Sequence, residues 1–441
     1  MSQAKRLSRG VRRRNEKLAR LRQVVRKNLA IVAIDLADRR QAAVVTNHDS
    51  AVLSRKMFFG SAWVIDEILE WAVPMATEAG FKGVVVACEP TGSRWKPVLA
   101  RCRARRVPMV CVQPMLVHRA REGENYTKSR TDYGDAVIIA RLTAELRCYL
   151  PYAPEGPWAR LRHLGSWRAR LVTRASADRL AVKDLIGCSW PSVLETAAQP
   201  ADSLTWRAAL SVCADPERIR SMSYEVFVRR VSEEMVAWGA KRPARRIVDA
   251  VFCSAAAPGG VGWDRAAVAE RVGFLLGDWR QTTTELAEVE ARMVKVLEEL
   301  HLRGLVETIP GLSAVGAAQI LSETGDPDRY DCPRALVKHA GVNPMPNESG
   351  RYKGQTKVSG RGRPGLRSAA WRAVVGALRH NAVYQTRRAK LTTRTANRLN
   401  ETQARTALAA GLLRQLYVVV TRKVAWDPAI AVGAAKEAAA A

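Results

Sequence analysis

The sequence predicts an α/β domain followed by a mostly helical remainder, and three observations carry that expectation. Between about residues 29 and 158, short β-branched, apolar runs alternate with stretches of helical period. From about 160 to 305 no convincing strand occurs, and one long helix carries a seam of heptad spacing. Beyond 305 a glycine turn feeds another helix and then a basic, glycine-rich loop.

Residues 1–28 read as a basic arm, from Lys5 through Arg12, Arg13 and Arg14 to Lys27, with Glu16 as its single acid. Such an arm is expected to stay mobile until it meets phosphate. Asn28 to Asp35 is a short β-branched run and Gln41 to Thr46 a second, with Leu36 to Arg40 as the hairpin turn between them. Trp63 to Ala79 has helical periodicity. Gly83 to Cys88 is continuously apolar, the pattern of a strand buried on both faces. Arg94 to Arg105 is helical, Val107 to Val112 a fourth strand, and Asp132 to Leu146 a helix. An opening hairpin followed by a later parallel strand fits the RNase H-like fold class. The expected α/β domain runs over 29–158.

The segment 159–304 is expected to be helical. Leu275, Trp279, Thr282, Leu286, Val289, Met293, Val296 and Leu300 step alternately by four and three, an a/d seam weakened by Thr282. It implies a coiled-coil contact, within or between chains, with an ordinary core-facing helix as the alternative. Residues 254–262 read as a loop before this helix. A C-terminal domain is expected over 305–428. There Ile309-Pro310-Gly311 is a turn feeding a helix, and Gly311 and Gly316 would let backbone amides approach a phosphate, as helix-hairpin-helix elements do. No acid occurs between Gly350 and Arg367, and a helix is expected from Arg367 to about Asn381. The Ala-rich tail, 429–441, is expected to be disordered.

Charge narrows the function. Seventy-one Lys and Arg against 42 Asp and Glu leave a net +29, an excess that calls for a polyanion. Nucleic acid fits, because each neutralised phosphate releases counterions. No apolar run approaches the ~20 residues that span a bilayer, and no signal peptide opens the chain, so a membrane role is not expected. The eight cysteines and six histidines are scattered without a Cys-x-x-Cys pair. A zinc site and a disulfide framework are therefore not expected. Reduced cysteines in a cytoplasmic protein are.

Four carboxylates stand out by position. Asp35 ends the first strand, Glu89 follows the strand at 83–88, and Asp132 and Asp135 lie three apart at a helix start, facing one side. If the strands at 28–35 and 83–88 are neighbours, Asp35 and Glu89 meet at one sheet edge. Clustered carboxylates repel one another unless a cation intervenes, and hard oxygen ligands suit Mg²⁺ or Mn²⁺. Two such ions can clamp the attacking and leaving oxygens of a phosphodiester. Taken singly, a strand-terminal Asp is an ordinary turn residue, and Asp132 has the position of a helix N-cap. Ser349 sits between Glu348 and Gly350 beside the basic loop. Arginines there could stabilise an attacked phosphate, although a loop serine is by itself an ordinary turn residue.

In combination these motifs resemble the DEDD-type transposases of insertion sequences, which act as bridge-RNA-guided serine recombinases. The resemblance rests on Ala33-Ile34-Asp35, on Glu89-Pro90-Thr91-Gly92, and on Asp132-Tyr133-Gly134-Asp135-Ala136 after the basic Lys128-Ser129-Arg130. It extends to Ile309-Pro310-Gly311, Gly341-Val342-Asn343-Pro344 and Glu348-Ser349-Gly350. The family implies a RuvC-like N-terminal domain in which Asp35, Glu89, Asp132 and Asp135 hold Mg²⁺ or Mn²⁺. It implies that Ser349 attacks a DNA phosphate to form a phosphoserine, later reversed by a free DNA hydroxyl. It also implies sites composed from two protomers of a dimer that assembles to a tetramer, and a bridge RNA pairing with double-stranded target and donor DNA. The expected nucleic-acid contacts are Arg12, Arg13, Arg14, Lys128, Arg130, Arg351, Lys353, Lys357, Arg361, Arg363 and Arg367. Action at the nucleoid is expected.

Two features depart from the family pattern. The basic arm is long, and the helical stretch 190–262 is extended. Its Trp190, Trp206 and Trp238 are expected in a helical core, with stacking on RNA as the alternative. Two other functions compete: a RuvC-like nuclease that activates water, and a nucleic-acid-binding protein without activity.

Overall fold

In the computed structural model, which describes residues 8–60, 64–124, 131–349 and 351–429, strand β1 (Ala30–Leu36) serves two cores at once. Its even-numbered residues Val32, Ile34 and Leu36 face one, and Ile31 and Ala33 face the other. Strand β2 (Arg40–Thr46) runs antiparallel to β1, and β3 (Val52–Phe59) antiparallel to β2. Strands β4 (Val84–Cys88) and β5 (Met109–Cys111) continue on the other side of β1, parallel to it, giving the order β3-β2-β1-β4-β5. Helices α2 (Ile65–Glu78) and α3 (Trp95–Ala104) cover one face. On the other lie α1 (Arg9–Val24), α4 (Pro114–Glu124) and α5 (Asp132–Ala144). This mixed sheet is consistent with an RNase H-like fold.

Three features of this unit, Met1–Ala153, differ from expectation. The basic arm is not a free tail over its described part. Ser8 caps α1, and the last turn buries Leu21 and Val25 against the sheet, about 1.5–3 kcal/mol for each side chain. Strand β3 is not foreshadowed in the sequence because it is an edge strand: only Phe58 is buried, and Arg55 and Lys56 interrupt any apolar alternation. Helix α4 likewise leaves no periodic signal in the sequence. It is short and polar, and only Val117 is fully buried.

The second unit, Pro154–Ala441, is organised by two long helices. Helix α6 (Gly156–Ser189) packs antiparallel to the last helix before the C-terminal region, so that Arg160 meets Glu299 at 2.6 Å, Arg168 meets Glu290 at 2.7 Å and Arg174 meets Asp278 at 3.4 Å. Between them in sequence come α7 (Leu204–Val212), α8 (Pro216–Arg220), α9 (Tyr224–Ala237) and α10 (Arg245–Ser254). The partner of α6 is α11 (Arg265–Glu299). Of the expected seam, Trp279, Thr282, Val289, Met293 and Val296 are buried, while Leu275, Leu286 and Leu300 are only partly so and Leu276 is buried beside Leu275. Within the chain the seam is filled by α6. The tryptophans of the extended stretch are core residues. Trp190 and Trp206 are fully buried, and the indole N–H groups of Trp190, Trp206 and Trp238 donate to Ser254 O, Val193 O and Ser211 Oγ.

The other end of the α6/α11 pair shares its core with α12 (Arg303–Glu307), α13 (Ala314–Thr324), α14 (Pro333–Ala340), α15 (Pro364–His380), α16 (Ala382–Thr393) and α17 (Glu401–Arg422). The Ile309-Pro310-Gly311 turn feeds α13 as expected, but Gly311 serves packing. It has a φ of +81°, and a Cβ there would lie 2.4 Å from the Gly376 carbonyl of α15. The Gly316 amide is taken by the Ser313 side chain at 3.1 Å. Residues 430–441, most of the expected tail, lie outside the described residues.

Glu323 ties three parts of this core together. Its side chain is 10% exposed, accepts Arg162 Nη1 at 3.0 Å and pairs with Arg363 from the basic loop. Glu323→Ala leaves two guanidinium groups without their acid, and a loss of about 3–5 kcal/mol is expected. A urea midpoint unchanged from the parent would refute this.

Candidate active site

The carboxyl ends of β1 and β4 lie side by side, since Ile34 is in register with Cys88. The next residues are Asp35 and Glu89, placed together by the parallel pairing of two central strands rather than at a lateral edge of the sheet. Asp35 follows Ile31 and Ala33 on the face covered by α5. The first turn of α5 carries Asp132 and Asp135. Thr131, not Asp132, is the N-cap, accepting the Gly134 amide at 3.1 Å. Asp132 therefore remains exposed and is not committed to capping. Thr91, of the Glu89-Pro90-Thr91-Gly92 motif, donates its hydroxyl to Glu89 Oε1 at 3.3 Å.

Electrostatics ties the four acids into one cluster. The Asp35 carboxyl is pushed up to about 6, first by burial and then by the negative charges of Asp135, Asp132 and Glu89, with Arg121 opposing them. Their oxygens do not, however, converge on a point. Among the described residues no three His, Cys, Asp or Glu side chains stand close enough to hold a metal ion. The two observations agree once range is considered: charges interact over many ångströms, whereas Mg²⁺ takes its oxygens at about 2.0–2.1 Å. The donor set of hard, mutually repelling oxygens suits a divalent cation, and side-chain rotation would have to close it.

Arg121 stands in the way of that closure. This α4 residue grips Asp135 with both ends of its guanidinium, Nε to Oδ1 at 2.7 Å and Nη2 to Oδ2 at 2.5 Å. With Arg55 and Tyr133 it lines a cavity of about 540 Å³ beside Asp135, and the Arg55 guanidinium lies over the Tyr133 ring. Neither arginine was legible in the sequence, because β3 and α4 were not. Arg121→Ala removes the competing ion pair, and Mn²⁺ affinity is expected to rise roughly five- to tenfold. Calorimetric titration measures it, and an unchanged or weaker affinity would count against the competition.

Ser349 lies on the second unit in a small antiparallel hairpin where a loop was expected. Pro344–Met345 (β6) pairs with Lys357–Val358 (β9), and Glu348–Ser349 (β7) with Tyr352–Lys353 (β8). Ser349 is exposed, in register with Tyr352, and its hydroxyl makes no hydrogen bond among the described residues. Gly350 lies outside them. No general base is therefore bonded to Ser349 within the described hairpin.

The expected nucleic-acid contacts divide. Arg12, Arg13 and Arg14 are exposed along α1, and Arg351, Lys357 and Arg361 are exposed on or beside the hairpin. Arg363 and Arg367 instead brace the scaffold. Arg363 pairs with Glu323, and Arg367 Nη1 donates to the Ala340 and Gly360 carbonyls at 3.3 and 3.1 Å. The Lys353 side chain, Lys128 and Arg130 lie outside what is described. No helix of the described residues is long and apolar enough to cross a membrane.

Comparison with known families adds two matches. Residues 32–185 match a DEDD transposase model of the IS110 type, described as Transposase. Residues 303–389 match the model described as Transposase IS116/IS110/IS902 family. Among curated proteins no match is found.

Proposed function

Because the chain carries transposase domains of the IS110/IS116/IS902 family, we propose that this DNA transposase exchanges strands through a covalent intermediate on Ser349. The reading is carried by the acidic cluster: Asp35, Glu89, Asp132 and Asp135, one from each position of the DEDD pattern, share one electrostatic field. DEDD transposase domains use divalent metal ions, and an ion bound by these carboxylates would polarise the phosphate and the attacking oxygen. Which ion is bound, Mg²⁺ or Mn²⁺, is part of the proposal.

Ser349 presents an accessible hydroxyl on a hairpin flanked by exposed arginines. Its Oγ–H bond breaks as Oγ bonds to phosphorus, one P–O bond of the DNA breaks, and the leaving DNA oxygen takes up a proton to replace the one that the serine released. Arg351 and Arg361, exposed on and beside the hairpin, would offset charge on the phosphoryl oxygens. A hydroxyl of the partner DNA then attacks phosphorus and releases Ser349. One phosphodiester is exchanged for another, so no high-energy cofactor is consumed. The charge surplus and the exposed arginines of α1 support a further nucleic-acid partner, and we assign these to a bridge RNA. Two duplexes undergoing exchange suggest a dimer that assembles to a tetramer.

The test is to recover protein–DNA adducts under denaturing conditions, digest them and locate the nucleotide-bearing peptide. It is expected to contain Ser349. Cut DNA with no adduct would favour metal-activated water, as in a RuvC-like nuclease. Sequencing of co-purified RNA tests the guide, since a discrete species is expected and random fragments would oppose it.

A further inference from the structure

Three arginines meet on α14, α16 and α17 without an acid among them. Arg414 is half-buried on α17, Arg387 is half-buried on α16, and Arg334 is exposed in the first turn of α14. Both α14 and α16 pack against α17. Gly411, one turn before Arg414, makes room for the group: Arg387 Nη1 lies 3.3 Å from where a Cβ on Gly411 would stand. The scaffold beneath is fixed. The buried Tyr384 hydroxyl donates to Gln415 Oε1 at 2.9 Å, and Trp426 Nε1 donates to the same oxygen at 2.9 Å.

None of the three arginines has an ion pair or hydrogen bond among the described residues. Several other half-buried arginines of this unit do have such partners. Arg162 and Arg363 share Glu323, Arg168 has Glu290 and Arg265 has Glu217. The neighbouring Arg388 is held by Glu401. Burial lowers the pKa of Arg414, and the charges of Arg387 and Arg334 lower it further. Unpaired guanidinium groups crowded together cost the free protein stability, and an anion that accepts from several of them removes that cost.

We infer that Arg334, Arg387 and Arg414 form a phosphate site that takes one phosphodiester of a nucleic-acid backbone. Guanidinium forks match phosphate oxygens in geometry as well as charge. The inference rests on the transposase reading only for the carrier of that phosphate, and it adds a contact outside the serine hairpin.

The test compares the full chain with its Arg334→Gln/Arg387→Gln variant in binding labelled duplex DNA and labelled single-stranded RNA across a salt series. Affinity for at least one of them is expected to fall about tenfold, and the slope of log affinity against log salt to shrink by about one. The melting temperature of the free variant is expected to hold or rise, because repulsion is relieved. Parental affinity and slope for both nucleic acids would overturn the inference, and so would a melting point lowered by several degrees, which marks a structural role. Inorganic phosphate that stabilises the parent alone, with nucleic-acid binding unchanged in the variant, would make this a free-phosphate site and overturn the backbone assignment. A parent that binds neither nucleic acid would overturn the transposase reading together with the inference.

Discussion

Ser349→Ala is expected to abolish strand exchange, by about 10⁴-fold or more, while binding of DNA and RNA stays within about twofold. The size follows from chemistry: without Oγ no covalent intermediate forms on this residue. Selectivity follows from the structure. Ser349 is exposed and unbonded among the described residues, so its hydroxyl supports neither the hairpin nor the core. Rate, adduct yield and affinity measured on one preparation separate the possibilities. Cleavage persisting at the parental rate would transfer the nucleophile's role to water.

Asp35→Asn carries two expected results of opposite sign. Strand exchange should fall about 10³-fold, because a central oxygen donor loses its charge. The metal-free protein should nevertheless become more stable near pH 8. The Asp35 carboxyl sits near 6 in the folded chain against an ordinary 3.8. Folding therefore favours its protonated form. That contribution is complete below about pH 4 and is lost as pH rises through about 6. Above this range the ionised group costs at most about 3 kcal/mol, and about 1–2 kcal/mol after allowance for its partial exposure. The variant's advantage should appear at pH 8 and vanish by pH 4. Urea unfolding at both values measures it, and a variant less stable than the parent at pH 8 would refute the clustering of charge. Added Mn²⁺ should stabilise the parent and not the variant.

Arg121 and Asp135 show how such a cluster can exist before a cation arrives. The guanidinium supplies positive charge to Asp135 and opposes the rise that burial and the charges of Asp135, Asp132 and Glu89 cause at Asp35. Arg121→Ala and Asp35→Asn thus probe opposite halves of one balance.

Much of this was determined by the sequence itself. Ile31 to Ile34 and Val84 to Cys88 are runs of β-branched and small apolar residues that fit central strands, and β4 is buried along its whole length. Their carboxyl-terminal acids, Asp35 and Glu89, then follow directly. The three-residue step from Asp132 to Asp135 likewise sets one helix face. The α11 seam from Trp279 to Val296 was legible because heptad spacing is a local property. Other features depend on contacts made far away in the chain. Strand β3, which carries Arg55, has too few buried residues to leave a periodic signal. Helix α4, which carries Arg121, has the same difficulty. The arm's lysines and arginines masked the two anchors, Leu21 and Val25, that fix α1.

Tertiary structure alone decided three matters. It made Thr131 the cap and so left Asp132 uncommitted to that role. It turned Gly311 from an open phosphate approach into a contact against Gly376. It gathered Arg334, Arg387 and Arg414 from three helices. The acids of the DEDD pattern were readable because strand ends and helix turns place them by short-range geometry. The cation that grips Asp135 and the partnerless arginines were not, because only packing determines which distant charges become neighbours.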